Sequence, residues 1–97
     1  MELGYDDEVK SRLRHWRDSD QLLYQAAVAQ LEAIKANPTR HGIDGTPHVP
    51  RLVTFGVNGR DEQYVIVWDN PSGDVVPIAS VCSMSEMQQR ARLRSAQ

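Results

Sequence analysis

The stretch "FGVNGRDEQYVIVWD", residues 55–69, sets Asn58-Gly59 between two runs of β-branched and aromatic residues. Asn-Gly is the strongest short-range hairpin signal, because both residues accept the positive φ angles of the turns whose twist matches paired strands. Two antiparallel strands are therefore expected to meet here. Side chains alternate along a strand, so one fixed turn sorts every strand residue onto one of two faces. With Val57 opposite Arg60, Arg51 lies opposite Ile66 and Val53 opposite Tyr64. Asn70-Pro71-Ser72-Gly73 suits a four-residue loop that sets Val67 against Val76 and Val65 against Ile78. Three strands follow from this, over about residues 51–57, 60–69 and 74–83. Pro77 cannot donate to a ladder, so the last of them is expected to be an edge or to bulge there.

This register puts Leu52, Val65, Val67, Val76 and Ile78 on one face, an aliphatic set expected to meet helices. The other face receives Arg51, Val53, Phe55, Arg60, Glu62, Tyr64, Trp68 and Ala79. A sheet face that only meets water should carry small polar residues. The mixture of charge and rings reads either as an outward working surface or as an aromatic cluster that shields the sheet.

The helices come from the first 38 residues. Leu3 and Tyr5 alternate in a short stretch that can form an edge strand. Asp6 or Asp7 then offers a capping oxygen, and Val9, Leu13 and Trp16 recur at helical spacing, with Arg12, Arg14 and Arg17 between and beyond them. "RDSDQ" interrupts this helix with residues that favour caps. Leu23, Ala27, Leu31 and Ile34 mark the inner stripe of a second helix, which Asn37-Pro38 ends because the residue before proline is pushed out of helical geometry. From Thr39 to Pro50 the two glycines and two of the prolines predict a structured loop, with no strand before Arg51. Beyond the meander, "SEMQQRARLRSAQ" predicts a solvated helical tail capped by Ser85, with Arg90, Arg92 and Arg94 in its last turns.

At 97 residues the chain supports one core and hence one domain spanning residues 1–97. Its apolar and charged fractions, 40% and 25%, are those of a globular protein. No apolar run is long enough for a bilayer, and the acidic start "MELGYDDEVK" is unlike a signal peptide, so a cytoplasmic protein without a membrane partner is expected. The net charge of −2 argues against a chain built chiefly to grip phosphates. Cys82 is the sole cysteine, which leaves no internal disulfide and favours a small core residue over a reactive thiol. His41, His48 and Asp44 match no metal-ligand spacing, and no cofactor is expected.

The order of short strand, helical hairpin ending in Asn-Pro, loop and meander resembles the RelE/ParE superfamily of toxins from toxin–antitoxin pairs. The resemblance is carried by "YDDEVKSRLRHWRDSDQLLYQAAVAQLEAIKANP" and "EQYVIVWDNPSGDVVPIASV" and covers nearly the whole chain. It implies an α+β fold with a helical hairpin on one face of a small antiparallel sheet, and a cognate antitoxin as partner. RelE-like members cut mRNA on the ribosome, and this endoribonuclease activity, which arrests translation, is the leading expectation. ParE-like members poison DNA gyrase by binding alone, and a third reading is an inactive interaction module. The family's arginine in the third strand has its nearest counterpart at Gln63 or Tyr64, and the basic residue beyond the last strand is replaced around "SVCSMSEM".

RNA cleavage through the 2′-hydroxyl requires a base, an acid and a cation beside the phosphate. Arg51 and Arg60 are the candidate cations, and Tyr64 is the candidate for stacking a base. His41 and His48 are the candidates for proton transfer, with His48 assigned to the catalytic set. Arg40, His41 and Arg90 complete the expected RNA path.

Overall fold

Asp6 starts the first helix: its Oδ1 accepts the Val9 N–H at 2.8 Å, opening α1 (Asp7–Ser19). Asp20 ends α1 and caps α2 (Gln21–Ala36), and Asn37 closes α2 just before Pro38. Val9 and Trp16 on α1 and Leu23, Ala27, Leu31 and Ile34 on α2 are all buried, as their spacing predicts. The computed structural model describes residues 2–46 and 49–95, and five strands and a third helix complete it. These are β1 (Glu2–Tyr5), β2 (Ile43–Thr46), β3 (Val49–Gly56), β4 (Gln63–Trp68), β5 (Val75–Ser83) and α3 (Met84–Ser95). The chain is thus an α+β domain with a mixed sheet in the order β1-β5-β4-β3-β2, in which β1 runs parallel to β5.

The register differs from the expected one, and the turn explains why. Gly59 has φ +84°, no non-glycine residue among those described has positive φ, and the Arg60 N–H donates to the Val57 carbonyl at 3.0 Å. Only the second central residue is left-handed, which is the pattern of a type II turn. Such a turn splays its strands. The ladder therefore closes further back, at Gly56 opposite Gln63, and its register is displaced by two residues, pairing Arg51 with Trp68, Val53 with Ile66 and Phe55 with Tyr64.

Between β4 and β5 the pairing is also displaced, with Val65 opposite Cys82 and Val67 opposite Ser80. After Val67 the register shifts, so that Trp68 faces Ile78 and Ala79 is left over as a bulge. The bulge lies beside Pro77, as expected. It is not on an edge, because β1 pairs with residues 75–78 on the other side.

The bulge reverses the side on which later residues of β5 fall, and on β3 and β4 the face turned to the helices is the opposite of the one expected, while Val76 and Ile78 meet the helices as expected. Val53, Phe55, Tyr64, Ile66, Trp68, Val76, Ile78 and Val81 pack with the helical hairpin in one cluster. Val65, Val67 and Cys82 are buried outside that cluster, on the face shared by Leu52. α3 packs against β4 and β5, and Cys82 senses the charges of Glu86 and Arg90. The rings face the hairpin because three large aromatic surfaces and Ile66 remove more apolar area from water than the valines do. Of the expected helix-facing set, Val76 and Ile78 belong to this core; Leu52, Val65 and Val67 do not.

Two smaller expectations also change. β2 lies inside the segment read as loop, because Ile43 and Asp44 pair with Leu52 and Arg51 despite the neighbouring glycines. Helix α3 is capped by Ser83, whose Oγ accepts the Glu86 N–H at 3.1 Å in a Ser-x-x-Glu arrangement. Ser85 instead donates its hydroxyl to Glu62 at 3.0 Å.

Gly42, at the entrance to β2, has φ +74°, and a Cβ there would run into the Leu52 carbonyl oxygen and come within 2.7 Å of the Trp68 ring. Gly42→Ala is therefore expected to cost about 2 kcal/mol, from left-handed strain plus displacement of the backbone around Leu52. The check is the urea midpoint of the variant, set beside Gly59→Ala, which has positive φ but meets nothing within 4 Å.

Candidate functional site

Arg60 and Tyr64 come within hydrogen-bonding reach of one another, but Arg51 does not join them in a common centre. Arg51 sits opposite Trp68 at one end of the β3–β4 ladder and Tyr64 opposite Phe55 near the other. Four strand positions separate them, about 13 Å along the sheet. Their shared face is also the one that packs against helices rather than the one that looks outward.

Each of the two cations is taken up within the fold. Arg51 donates through Nε to the His41 carbonyl at 2.9 Å, through one terminal nitrogen to Asp44 at 2.9 Å, and through the other to the Gly42 carbonyl at 3.2 Å. Arg60 forms a two-pronged pair with Asp20, at 2.6 and 2.8 Å. That pair holds the guanidinium well above its ordinary range, with a further hydrogen bond to Tyr64 contributing. Tyr64 is half-buried, edge-on to Trp16 with ring centroids 6.0 Å apart and tilted against Phe55 at 5.9 Å. It stacks on protein rings, as in the second of the two sequence readings.

The RNA-path candidates are also dispersed. His41 shares a 2.9 Å hydrogen bond with Gln30 and stacks on Trp68 at 6.2 Å. Arg90 on α3 pairs with Glu8 of α1 at 3.2 Å, whereas His41 belongs to the 38–42 turn after α2. Arg40 is exposed in that turn. His48 lies outside the described residues. Cys82 is a buried free cysteine whose thiol is pushed up by burial, as suits a core residue. Among the described residues no group of His, Cys, Asp and Glu is placed to hold a metal ion, and no helix is long and apolar enough to cross a membrane.

Asp20 is the electrostatic hinge of the domain. It caps α2 by accepting from the Leu23 N–H at 3.4 Å while holding Arg60 of the β3–β4 connection. The Arg60 bond lowers its pKa, partial burial opposes this, and the Leu23 N–H lowers it further. Glu62 is lowered too, chiefly by hydrogen bonds from Ser85. A carboxylate whose pKa is lower folded than unfolded contributes stability above its unfolded value, near 4, and loses it as pH falls through the folded value. The denaturation midpoint is therefore expected to drop as pH falls from about 5 to 3. Asp20→Asn combined with Glu62→Gln should be less stable at pH 7 and show a flatter acid limb in urea titrations.

A different set of residues does converge. Tyr5 at the end of β1, Lys10, Leu13, Arg14 and Arg17 on α1, and Tyr24 on α2 line an open groove of about 280 Å³. Positions 10, 14 and 17 lie on one helical face together with 13. Lys10 and Arg14 are exposed and make no ion pair among the described residues, and Arg17 makes only a surface pair with its neighbour Asp18 at 3.2 Å. Tyr5 and Tyr24 are half-buried, and burial, then Glu32 and Tyr24, push the Tyr5 hydroxyl upward so that it stays a neutral donor. The cation spacing is visible in the sequence. The two tyrosines that complete the groove come from other elements, so only the fold reveals it.

No family model, curated protein or solved structure matches the chain.

Proposed function

We propose that this chain is a RelE/ParE-like toxin of a toxin–antitoxin pair that acts by binding a protein target, in the manner of the gyrase-directed members, and does not cleave RNA. The observation that carries the choice is the state of the two candidate arginines: Arg51 and Arg60 are each held by hydrogen bonds to other parts of the fold. A cation that stabilises a developing phosphate charge has to be preorganised and free to meet it. Breaking two intramolecular clamps first would forfeit that advantage. The element order and the helical hairpin on a small sheet support the family reading. A cytoplasmic site of action beside a cognate antitoxin belongs to the same proposal.

The test is induced expression in bacteria with messages mapped at their 5′ ends, alongside a supercoiling assay with purified gyrase. Growth arrest with intact messages and inhibited supercoiling is the expected result. Codon-phased cuts in ribosome-bound messages would overturn the proposal in favour of the ribonuclease, and absence of arrest would favour the inactive interaction module.

A further inference from the structure

We propose that the groove between β1, α1 and α2 is a binding site for a nucleoside phosphate, with Lys10, Arg14 and Arg17 holding the phosphate and Tyr5 and Tyr24 flanking the base. Among the described residues, Arg12, Arg51, Arg60 and Arg90 reach across between elements, and each is paired with a carboxylate of the fold. Lys10 and Arg14 have no carboxylate partner among the described residues, although they line the same concave surface as two tyrosines. Positive charge gathered without a partner over a groove is unfavourable through self-repulsion, and an anionic ligand relieves it.

Size and reach select the class of anion. A groove of about 280 Å³ lies at the lower end of small-molecule sites and suits one nucleotide unit. The cation stripe spans two helical turns, about 10 Å, which matches one or two phosphates and is too short a track for duplex nucleic acid. Tyrosine rings add sequence-tolerant stacking, which an acidic peptide would not use. Glu32 beside Tyr5 and Asp18 beside Arg17 limit how far the positive field extends. The same nucleoside phosphate chemistry is offered by a free nucleotide and by a single-stranded nucleic acid.

The experiment titrates the full chain with adenosine 5′-monophosphate, with a fluorescein-labelled single-stranded octanucleotide, with inorganic phosphate and with octaglutamate. Saturable binding of the nucleotide or the octanucleotide is expected, and which of the two binds more tightly identifies the source. Lys10→Gln with Arg14→Gln should weaken it at least about tenfold and reduce the salt slope of the octanucleotide by about 0.7 per lost contact. Tyr24→Leu should weaken binding with the salt slope unchanged. Glutamine is a good helix former at these exposed positions, and circular dichroism confirms that the variants fold. Failure of both nucleotide probes to saturate, indifference to the double variant, or equal competition by inorganic phosphate or octaglutamate would each overturn the assignment. The groove stands apart from the toxin reading: arrest of growth without nucleotide binding leaves that reading intact and removes this one.

Discussion

Trp68→Ala is expected to destabilise the domain by about 4 kcal/mol, lowering its melting temperature by on the order of 20 °C. Trp68 is fully buried at the end of β4, where its ring faces Ile78 across the bulge and stacks against His41. Its Nε1–H donates to the Pro38 carbonyl at 2.8 Å, which fastens the turn after α2 onto the sheet. Alanine removes the ring, opens a cavity and strips that carbonyl of its donor at once. Trp68→Phe separates the contributions: it keeps most of the buried area and should cost about 1–2 kcal/mol, largely for the unpaired acceptor. For a domain of this size, whose whole stability is about 5–15 kcal/mol, the alanine variant should be partly unfolded at 37 °C. Equal losses in the two variants would mean that the Pro38 hydrogen bond, and not ring packing, holds this corner.

The helical half of the molecule is legible in the sequence because its signals are local. Asp6, Asp20 and Asn37 cap, and Leu23, Ala27, Leu31 and Ile34 repeat every three or four residues, so each feature is decided within a few neighbours. The sheet is less legible because its β3–β4 register and the sides of β5 depend, in turn, on two events that single residues do not announce. One is the conformation of Asn58, which avoids positive φ and so turns a tight hairpin into a wider one. The other is the surplus Ala79, which switches the side of β5 on which Val76 and Ile78 fall relative to Val81. Pro77 signalled that bulge but not the direction of its effect. The arginines were visible as cations, but their partners Asp20 and the carbonyls at 41 and 42 lie 40 and about ten residues away in the chain, where no periodic pattern connects them. Charged residues on a strand can serve the fold as well as a ligand, and only the placement of their partners decides which.

That distinction is measurable at Arg51. Arg51→Ala is expected to cost about 3 kcal/mol, because hydrogen bonds from a charged donor are worth about 1.5–3 kcal/mol each and do not add fully. The side chain is only 13% exposed, and the backbone oxygens of His41 and Gly42 lose their donor with it. Asp44, by contrast, is 91% exposed, so Asp44→Ala should cost less than about 0.5 kcal/mol. The stabilisation thus resides in the grip on the 41–42 backbone and not in the visible ion pair. Arg51→Lys tests the geometry, since one ammonium cannot reproduce a planar fork reaching three acceptors, and it should recover no more than a third of the loss. Urea midpoints of the three variants, measured beside growth arrest on expression, separate a structural arginine from a catalytic one. A structural Arg51 loses stability, and its toxicity falls only in proportion to the folded protein that remains. An Arg51→Ala chain as stable as the parent yet wholly inactive would reverse the assignment and return this guanidinium to the phosphate chemistry expected of it from the sequence.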